Sequence, residues 1–394
     1  MIPLASGKQK WALRSSRLFD GSRLHTGSPT VLVVGGRIAA VDLTGGHISA
    51  DVELVDAGDC TVLPGLVDAH NHLSFEPTTE LIEYMRHTDD AAMLDRMRLR
   101  ARQLLHAGVT TVRDLGDRGY LAVRLAREGG PGPTILAAGP PLTRTNGHCW
   151  FLGGLADTSD EIVELIARHA GQGVDLIKIM ATGGLITPGW GPAESQYTLD
   201  DLTTAVRAAH DHGLPITAHA HGRQGISDAL AAGMDGLEHV SFFTDTGSEA
   251  DWDLVRALAD AQIPVGVTDG FHPDGPPFPA AARQRLEQRR QILSRMRAEG
   301  VRMICSSDAG ISPRRPHDLL PHSIIQFTDL GFTNLEAVAA ATSLAADSCR
   351  LGGRKGRVAP GHDADLLIVP GDIRDSLTGL LAPRAVIHNG EEAA

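Results

Sequence analysis

Two histidine pairs in the sequence have the spacing of a metal chelate. The segment "HNH" places His70 and His72 two residues apart, and "HAH" does the same for His219 and His221. If these segments are β-strands, both members of each pair lie on the same strand face. Two imidazoles on one face are well placed to bind a divalent cation. A single pair is a weak signal, because histidine pairs also occur at surfaces and in protein cores.

Two more segments carry residues of the metal-ligand type. The segment "EH" contributes Glu238 and His239, and "SSD" contributes Asp308. Like the histidine pairs, both follow short apolar runs, and each residue taken alone could be an ordinary loop residue. Four such segments together indicate a metal site more strongly than any one of them.

Lys178 is an unusual cation in this chain. It is one of four lysines and lies in the apolar run "DLIKIMA". Strand alternation places it on the face opposite Ile177 and Ile179. Burial lowers the pKa of an amine, and a neutral amine can take up carbon dioxide to form a carbamate that bridges two cations. The alternative is a lysine paired with a buried carboxylate such as Asp68 or Asp114.

Eight short apolar runs would have to position these groups. In chain order they are "GLVDAHNH", "VTTVRDL", "TILAAG", "DLIKIMA", "PITAHAH", "DGLEHV", "IPVGVT" and "RMICSSD". Amphipathic helical patterns lie between them, as in βα units. The pattern predicts an α/β fold, a (β/α)8 TIM barrel with its catalytic groups at the C-terminal strand ends. Spacing alone leaves a doubly wound sheet as the rival.

The two ends of the chain have a different pattern, with short strands separated by turns. "TVLVVGGRIAAV" predicts a hairpin with a Gly-Gly corner, and "RAVIHNGEEA" contains an Asn-Gly turn. We therefore expect two domains. Residues 1–63 and 357–394 would form one small composite β-sandwich, and residues 64–356 would form the catalytic barrel.

Composition limits the class of partner. The chain has 394 residues and a formal net charge of -12, which argues against nucleic acid or an anionic membrane as the main partner. Its four cysteines include no CxxC motif, so neither a disulfide framework nor a cysteine-zinc module is predicted. No signal-peptide h-region or membrane-length apolar run is present. We expect a cytoplasmic enzyme, with assembly into a homo-oligomer left open.

The order of these motifs resembles the amidohydrolase superfamily, in its imidazolonepropionase-like and prolidase-like branch. The matching pieces are "LPGLVDAHNHL", "GVTTVRDLG", "LIKIMATGG", "ITAHAHG", "GLEHV", "SSDAG" and "GRVAPGHDADLLIV". The resemblance implies a barrel with a flanking β-sandwich and a binuclear metal centre, usually zinc. It also implies a ligand set: His70, His72 and Asp308 at one metal, His219 and His239 at the other, and carboxylated Lys178 between them.

Two residues near this set are predicted to bind substrate. Strand alternation cannot separate His219 from His221, and His219 is chosen as the ligand because the first histidine of "HAH" matches the ligand position of the family. His221 then becomes a substrate-binding candidate. His148, in "TRTNGHCW", is a candidate to polarise a carbonyl, its alternative being a solvated loop histidine.

These residues predict a metal-dependent hydrolase that cleaves an amide C–N bond with metal-activated hydroxide. Asp308 would pass a proton from the water to the leaving nitrogen. The expected substrate is a peptide or N-acyl amino acid, with a modified natural-product peptide permitted. The alternatives are hydrolysis of a cyclic amide, a mononuclear deaminase and a non-catalytic scaffold. A deaminase needs no bridging lysine, and a scaffold would be expected to have lost ligands.

Overall fold

The computed structural model describes residues 10–46, 49 and 52–393. The remaining residues of the predicted terminal domain, 1–9, 47–48, 50–51 and 394, lie outside the described residues. The N-terminal strands are β1 (Lys10–Arg14), β2 (Arg17–Phe19), β3 (Leu24–Thr26), β4 (Thr30–Val34), β5 (Arg37–Asp42), β6 (Glu53–Asp56) and β7 (Cys60–Pro64). The C-terminal strands are β16 (Leu366–Pro370), β17 (Ala385–His388) and β18 (Glu391–Glu392).

The eight predicted central strands are present. They are β8 (Leu66–Asn71), β9 (Val109–Asp114), β10 (Thr134–Ala137), β11 (Ile177–Met180), β12 (Ile216–Ala220), β13 (Gly236–His239), β14 (Val265–Val267) and β15 (Met303–Cys305). The helices are α1 (Leu81–His87), α2 (Asp90–His106), α3 (Leu121–Glu128), α4 (Ser159–Gln172), α5 (Leu199–Asp211), α6 (Arg223–Ala232), α7 (Trp252–Ala261), α8 (Ala280–Ala298), α9 (Leu320–Phe327), α10 (Asn334–Ala340) and α11 (Ser343–Ser348). The alternation confirms the predicted α/β class.

The central strands are all parallel. β8, β9 and β10 form one sheet, and β11 to β15 form another in sequence order. Isolated parallel bridges join the two sheets at both edges, from Leu142 to Ile179 and from Asn71 to Ala309. Neighbouring parallel strands bring their carboxyl ends to one side, where the predicted site residues lie.

Local sequence signals explain where several helices begin. In α4, the hydroxyl of Thr158 accepts a hydrogen bond from the backbone of Glu161, whose side chain bonds back to the Thr158 backbone. The same reciprocal cap starts α5 at Thr198 and α10 at Thr333. Such caps satisfy backbone N–H groups that have no partner within the helix. They fix the helices that separate the strands.

The terminal strands form two further sheets, with the orders β5-β4-β1-β6 and β18-β17-β16-β7-β2-β3. In the second sheet, C-terminal β16 pairs antiparallel with N-terminal β7. The two sheets share one cluster of buried apolar side chains. Trp11 and Val33 come from the first sheet, and Val62 and Ile368 come from the second. The two ends of the chain therefore pack together, although residues 64–356 separate them in sequence.

Candidate metal centre and active site

One cavity of about 760 Å³ collects every predicted site residue. Alternation positions Lys178 as the sequence predicts, because Ile177 and Ile179 join the main apolar core while Lys178 lines the cavity. His148 is also buried there, so it is not a solvated loop histidine. The predicted residues lining the cavity are His70, His72, His148, Lys178, His219, His221, His239 and Asp308.

The first ligand group contains His70, His72 and Asp308. Nε2 of each histidine lies 3.3 Å from Asp308 Oδ1. Nδ1 of His70 faces a Glu238 carboxylate oxygen at 2.8 Å, and Nδ1 of His72 faces the Gly116 carbonyl oxygen at 3.1 Å. Both partners can only accept, so each Nδ1 carries the proton and each Nε2 presents a lone pair. Three electron-rich atoms therefore converge with no proton between them, and a cation fits such a donor set.

The second ligand group contains His219, His221 and His239, whose ligand atoms lie within 4.8 Å of one another. Nε2 of His219 donates to the Gly183 carbonyl oxygen at 3.0 Å, which leaves the Nδ1 lone pair of His219 free. His221 and His239 bond instead to hydroxyl groups, through Nδ1 in each case. A hydroxyl can donate or accept, so it does not fix the tautomer. The structure brings both members of the "HAH" pair into the group.

Lys178 lies beside these groups and is 1% exposed. Its Nζ has no hydrogen-bond partner among the described residues. The two carboxylates that were its alternative partners bond elsewhere, Asp68 to Ser307 and Asp114 to the backbone of Leu73. Burial lowers the pKa of Lys178 to about 8. A buried amine with no partner and a lowered pKa has the properties that carbamate formation requires.

The electrostatics of the cavity favour neutral imidazoles. Burial, followed by the charge of Lys178, lowers the pKa of His70 to about 4. Burial also lowers the pKa of His148 to about 4. Burial opposes ionisation of Asp308, yet His70 and Arg315 are among the groups that hold its pKa below the ordinary value. Neutral imidazole and ionised carboxylate are the forms that bind metals.

Two of these residues have left-handed backbone conformations, His239 with φ 73° and Asp308 with φ 51°. Residues other than glycine rarely adopt this region, and strained backbone conformations cluster at active sites. In this cavity, His239 ends β13, Asp308 follows β15, and Cys149 shares the conformation with φ 58°.

Two contacts were not found by sequence reasoning. Glu238, grouped with the metal-type ligands, lies behind His70 and also accepts from Arg113 at 3.1 Å. Arg315 donates to Asp308 Oδ2 at 2.7 Å. The "EH" motif indicated Glu238 as a residue of the metal-ligand type, whereas the structure places it against His70. Nothing in the spacing of "SSDAGISPRR" indicates that the side chain of Arg315 contacts Asp308, seven residues earlier.

Comparison with known proteins identifies the family. Residues 61–392 match the amidohydrolase family over most of the chain. The chain belongs to the amidohydrolase family. The family is metal-dependent, and this amidohydrolase carries candidate histidine and aspartate ligands.

Individual relatives cover the chain to different extents. Ochratoxinase from Aspergillus niger is 27% identical over 227 residues, which are 50% of this chain and 45% of that protein. Imidazolonepropionase from Ralstonia nicotianae is 26% identical over an alignment that covers 86% of this chain and 85% of that protein. A Xaa-Pro dipeptidase structure superposes with a TM-score of 0.85 at 24% identity, covering 97% of this chain and 99% of the other. The likeness to the dipeptidase structure shows a shared fold.

Among the residues that the structure describes, no helix has the length and apolar character needed to cross a membrane. A cytoplasmic location and assembly into a homo-oligomer stay predictions.

Proposed function

We propose that this amidohydrolase holds two divalent metal ions and hydrolyses an amide bond in a peptide or an N-acyl amino acid. The observation that carries the proposal is the convergence of His70 Nε2, His72 Nε2 and Asp308 Oδ1. Both imidazole protons are on Nδ1, on the far side of each ring, so these three atoms suit a cation. Zinc is the expected metal, because imidazole and carboxylate suit it.

Each ligand has an assigned position. His70, His72 and Asp308 would hold one ion, and His219 with His239 would hold the other. Carboxylated Lys178 would bridge the two, after its neutral amine takes up carbon dioxide and releases a proton. The unpartnered Nζ of Lys178 and the free Nδ1 of His219 support this assignment.

Bound metals would supply an activated water and a polarised substrate carbonyl. The chain itself would move the proton. Asp308 is the proposed catalytic residue, accepting a proton from the attacking water and delivering it to the leaving nitrogen. The C–O bond to the water oxygen forms first, and the C–N bond then breaks as its nitrogen takes up the proton, giving a carboxylate and an amine. His148 and His221 would bind substrate, since both line the same cavity.

For the architecture, we infer a (β/α)8 barrel over residues 64–356 and a composite β-sandwich built from residues 1–63 and 357–394. The parallel bridges at both edges of the central sheets support the barrel. The apolar cluster shared by the two terminal sheets supports the sandwich.

The substrate assignment has one competitor. Two of the similar proteins, the Xaa-Pro dipeptidase and ochratoxinase, are named as enzymes, and the name of the first concerns a dipeptide. The likeness to imidazolonepropionase extends over 86% of this chain, which favours a cyclic amide as a second candidate. Both reactions add water across an amide bond, so the metal site alone does not separate them.

A substrate panel tests the proposal. Zinc-loaded protein would be assayed against dipeptides, N-acyl amino acids and lactams, with bound metal counted by mass spectrometry. We expect two metals per chain and turnover of the linear amides, with little activity in Asp308→Ala. Turnover of lactams alone would move the assignment to the cyclic amides. A chain that binds metals and cleaves neither class would contradict the proposal.

A further inference from the structure

One wall of the cavity carries arginine side chains, supplied by α8 and by the segment after β15. Each lies over a phenylalanine ring, with the guanidinium carbon between 4.1 and 5.9 Å from the ring centroid. Such stacking holds a planar guanidinium in place. The arginines that line the cavity are Arg285, Arg289, Arg314 and Arg315.

The acidic side chains on this wall do not balance these charges. Asp269 bonds to Nε of Arg289 through both oxygens at 2.6 Å, and Asp308 bonds to Arg315. For Arg285, the described part of the chain provides no carboxylate within ion-pair distance. This wall therefore has cationic groups left over for an anion.

Arg285 and Arg289 lie one helical turn apart on α8. Their guanidinium carbons are 5.3 and 5.9 Å from the centroid of the same ring, that of Phe243. Like charges at this spacing repel, which an anion between them would relieve. Arg289 is only 5% exposed, and its buried Nη1 has no hydrogen-bond partner among the described residues. An unpartnered buried donor of this kind indicates a missing acceptor.

This arginine pair lies next to the candidate metal site. The ring of Phe243 stacks on His221 with centroids 4.9 Å apart, and His221 lies 4.7 Å from His239. Arg289 also donates to the backbone carbonyl oxygen of His239 at 3.1 Å. The arginine pair therefore adjoins the candidate metal site through Phe243 and through the backbone of His239.

We propose that Arg285 and Arg289, stacked on Phe243, form a subsite for a carboxylate of the substrate. This inference rests on the proposed amide hydrolysis and names the residues that would recognise a carboxylate of its substrate. The planar guanidinium fork suits a carboxylate, and hydrogen bonds between charged groups are stronger than neutral ones. Apolar side chains such as Ile82, Leu185 and Ile311 also line the cavity, and they suit an apolar body of the substrate.

Three matched amides test the subsite and locate the carboxylate. N-Benzoyl-L-leucine carries it on the amine half, 4-carboxybenzoyl-L-leucinamide carries it on the acyl half, and N-benzoyl-L-leucinamide has none. Each would be assayed with the zinc-loaded wild type and Arg285→Met. The control is Arg290→Met, because Arg290 is exposed on the same helix and does not line the cavity.

For the wild type, we expect kcat/KM for one of the two acids to exceed that for the neutral amide by about 10- to 100-fold. Arg285→Met should remove most of this preference while Arg290→Met keeps it. Whichever acid is preferred identifies the half of the substrate that reaches the arginines. Equal kcat/KM values for all three amides, or an acid preference that survives in Arg285→Met, would overturn the subsite and leave amide hydrolysis intact.

A binding measurement decides the inference even if none of these amides is cleaved. 4-Phenylbutyrate and 4-phenylbutanol differ in the carboxylate and contain no amide, so their dissociation constants can be measured by calorimetry. We expect Arg285→Met to weaken binding of the acid by about 10-fold or more and to leave the alcohol unchanged. An unchanged dissociation constant for the acid would contradict the subsite.

Discussion

Nδ1 of His70 lies 2.8 Å from a carboxylate oxygen of Glu238 at the base of the candidate metal site. The other Glu238 oxygen accepts from Arg113 at 3.1 Å and from Thr217 at 2.9 Å. All four side chains are buried. The carboxylate therefore fixes the tautomer and ring orientation of His70, while Arg113 and Thr217 fix the carboxylate.

The first prediction concerns this contact. Glu238→Gln keeps the shape of the side chain and removes its charge, so the His70 imidazole becomes a poorer ligand. We expect metal affinity to fall by about 10- to 100-fold. Competition with a chromophoric chelator measures it, with Glu164→Gln, an exposed change on α4, as the control. Equal affinity in both variants would show that Glu238 does not position the ligand.

The second prediction separates the two histidines of the "HAH" segment. Because Nε2 of His219 donates to the Gly183 carbonyl oxygen, Nδ1 of His219 is ready to bind a metal. His219→Ala should therefore lose part of the bound metal. His221→Ala should keep its metal and change mainly KM. The opposite pattern of metal content would reassign the ligand to His221.

The third prediction concerns Asp308. Asp308→Asn has nearly the same shape but cannot carry a proton as a carboxylate does. We expect kcat to fall by about 10²- to 10⁴-fold, while circular dichroism stays that of the wild type. Near-normal turnover by metal-loaded Asp308→Asn would remove the proton-transfer assignment.

The fourth prediction concerns the joined ends of the chain. Buried Asp365 accepts from Lys355 Nζ at 2.6 Å and lies 3.1 Å from Nδ1 of His388. Burial opposes its ionisation, but His388 and Lys355 lower its pKa to about 2. A carboxyl whose folded pKa is depressed stabilises the fold above its unfolded pKa, and this contribution is lost as the pH falls towards 2.

Asp365→Asn should therefore lower the free energy of unfolding at pH 7 by about 2 kcal/mol. The difference from the wild type should narrow below pH 4. Urea unfolding at several pH values measures it, with the exposed Asp260→Asn as the control. A difference that does not change with pH would mean that the charge of Asp365 is not responsible.

The sequence predicted the central strands well, because parallel strands are short apolar runs and four of them lead into the ligand-type segments HNH, HAH, EH and SSD. It also predicted which face of β11 carries Lys178, since alternation is a property of any strand. It did not predict Arg315 against Asp308 or the stacking of Arg285 and Arg289 on Phe243. Those contacts lie between a helix and loops that come together only in the folded chain, so the spacing of residues in the sequence does not predict them.

The measurement that most directly tests the account is the metal content of Lys178→Ala and Lys178→Arg, with and without added acetate. If a carbamate on Lys178 bridges two metals, Lys178→Ala should bind fewer than two per chain and lose most activity. Acetate should enter the space left by the Lys178 side chain and partly restore both the metal content and the activity. Lys178→Arg should not respond, because a guanidinium stays protonated and fills that space with positive charge. Two full metals in Lys178→Ala without acetate would contradict the bridging role.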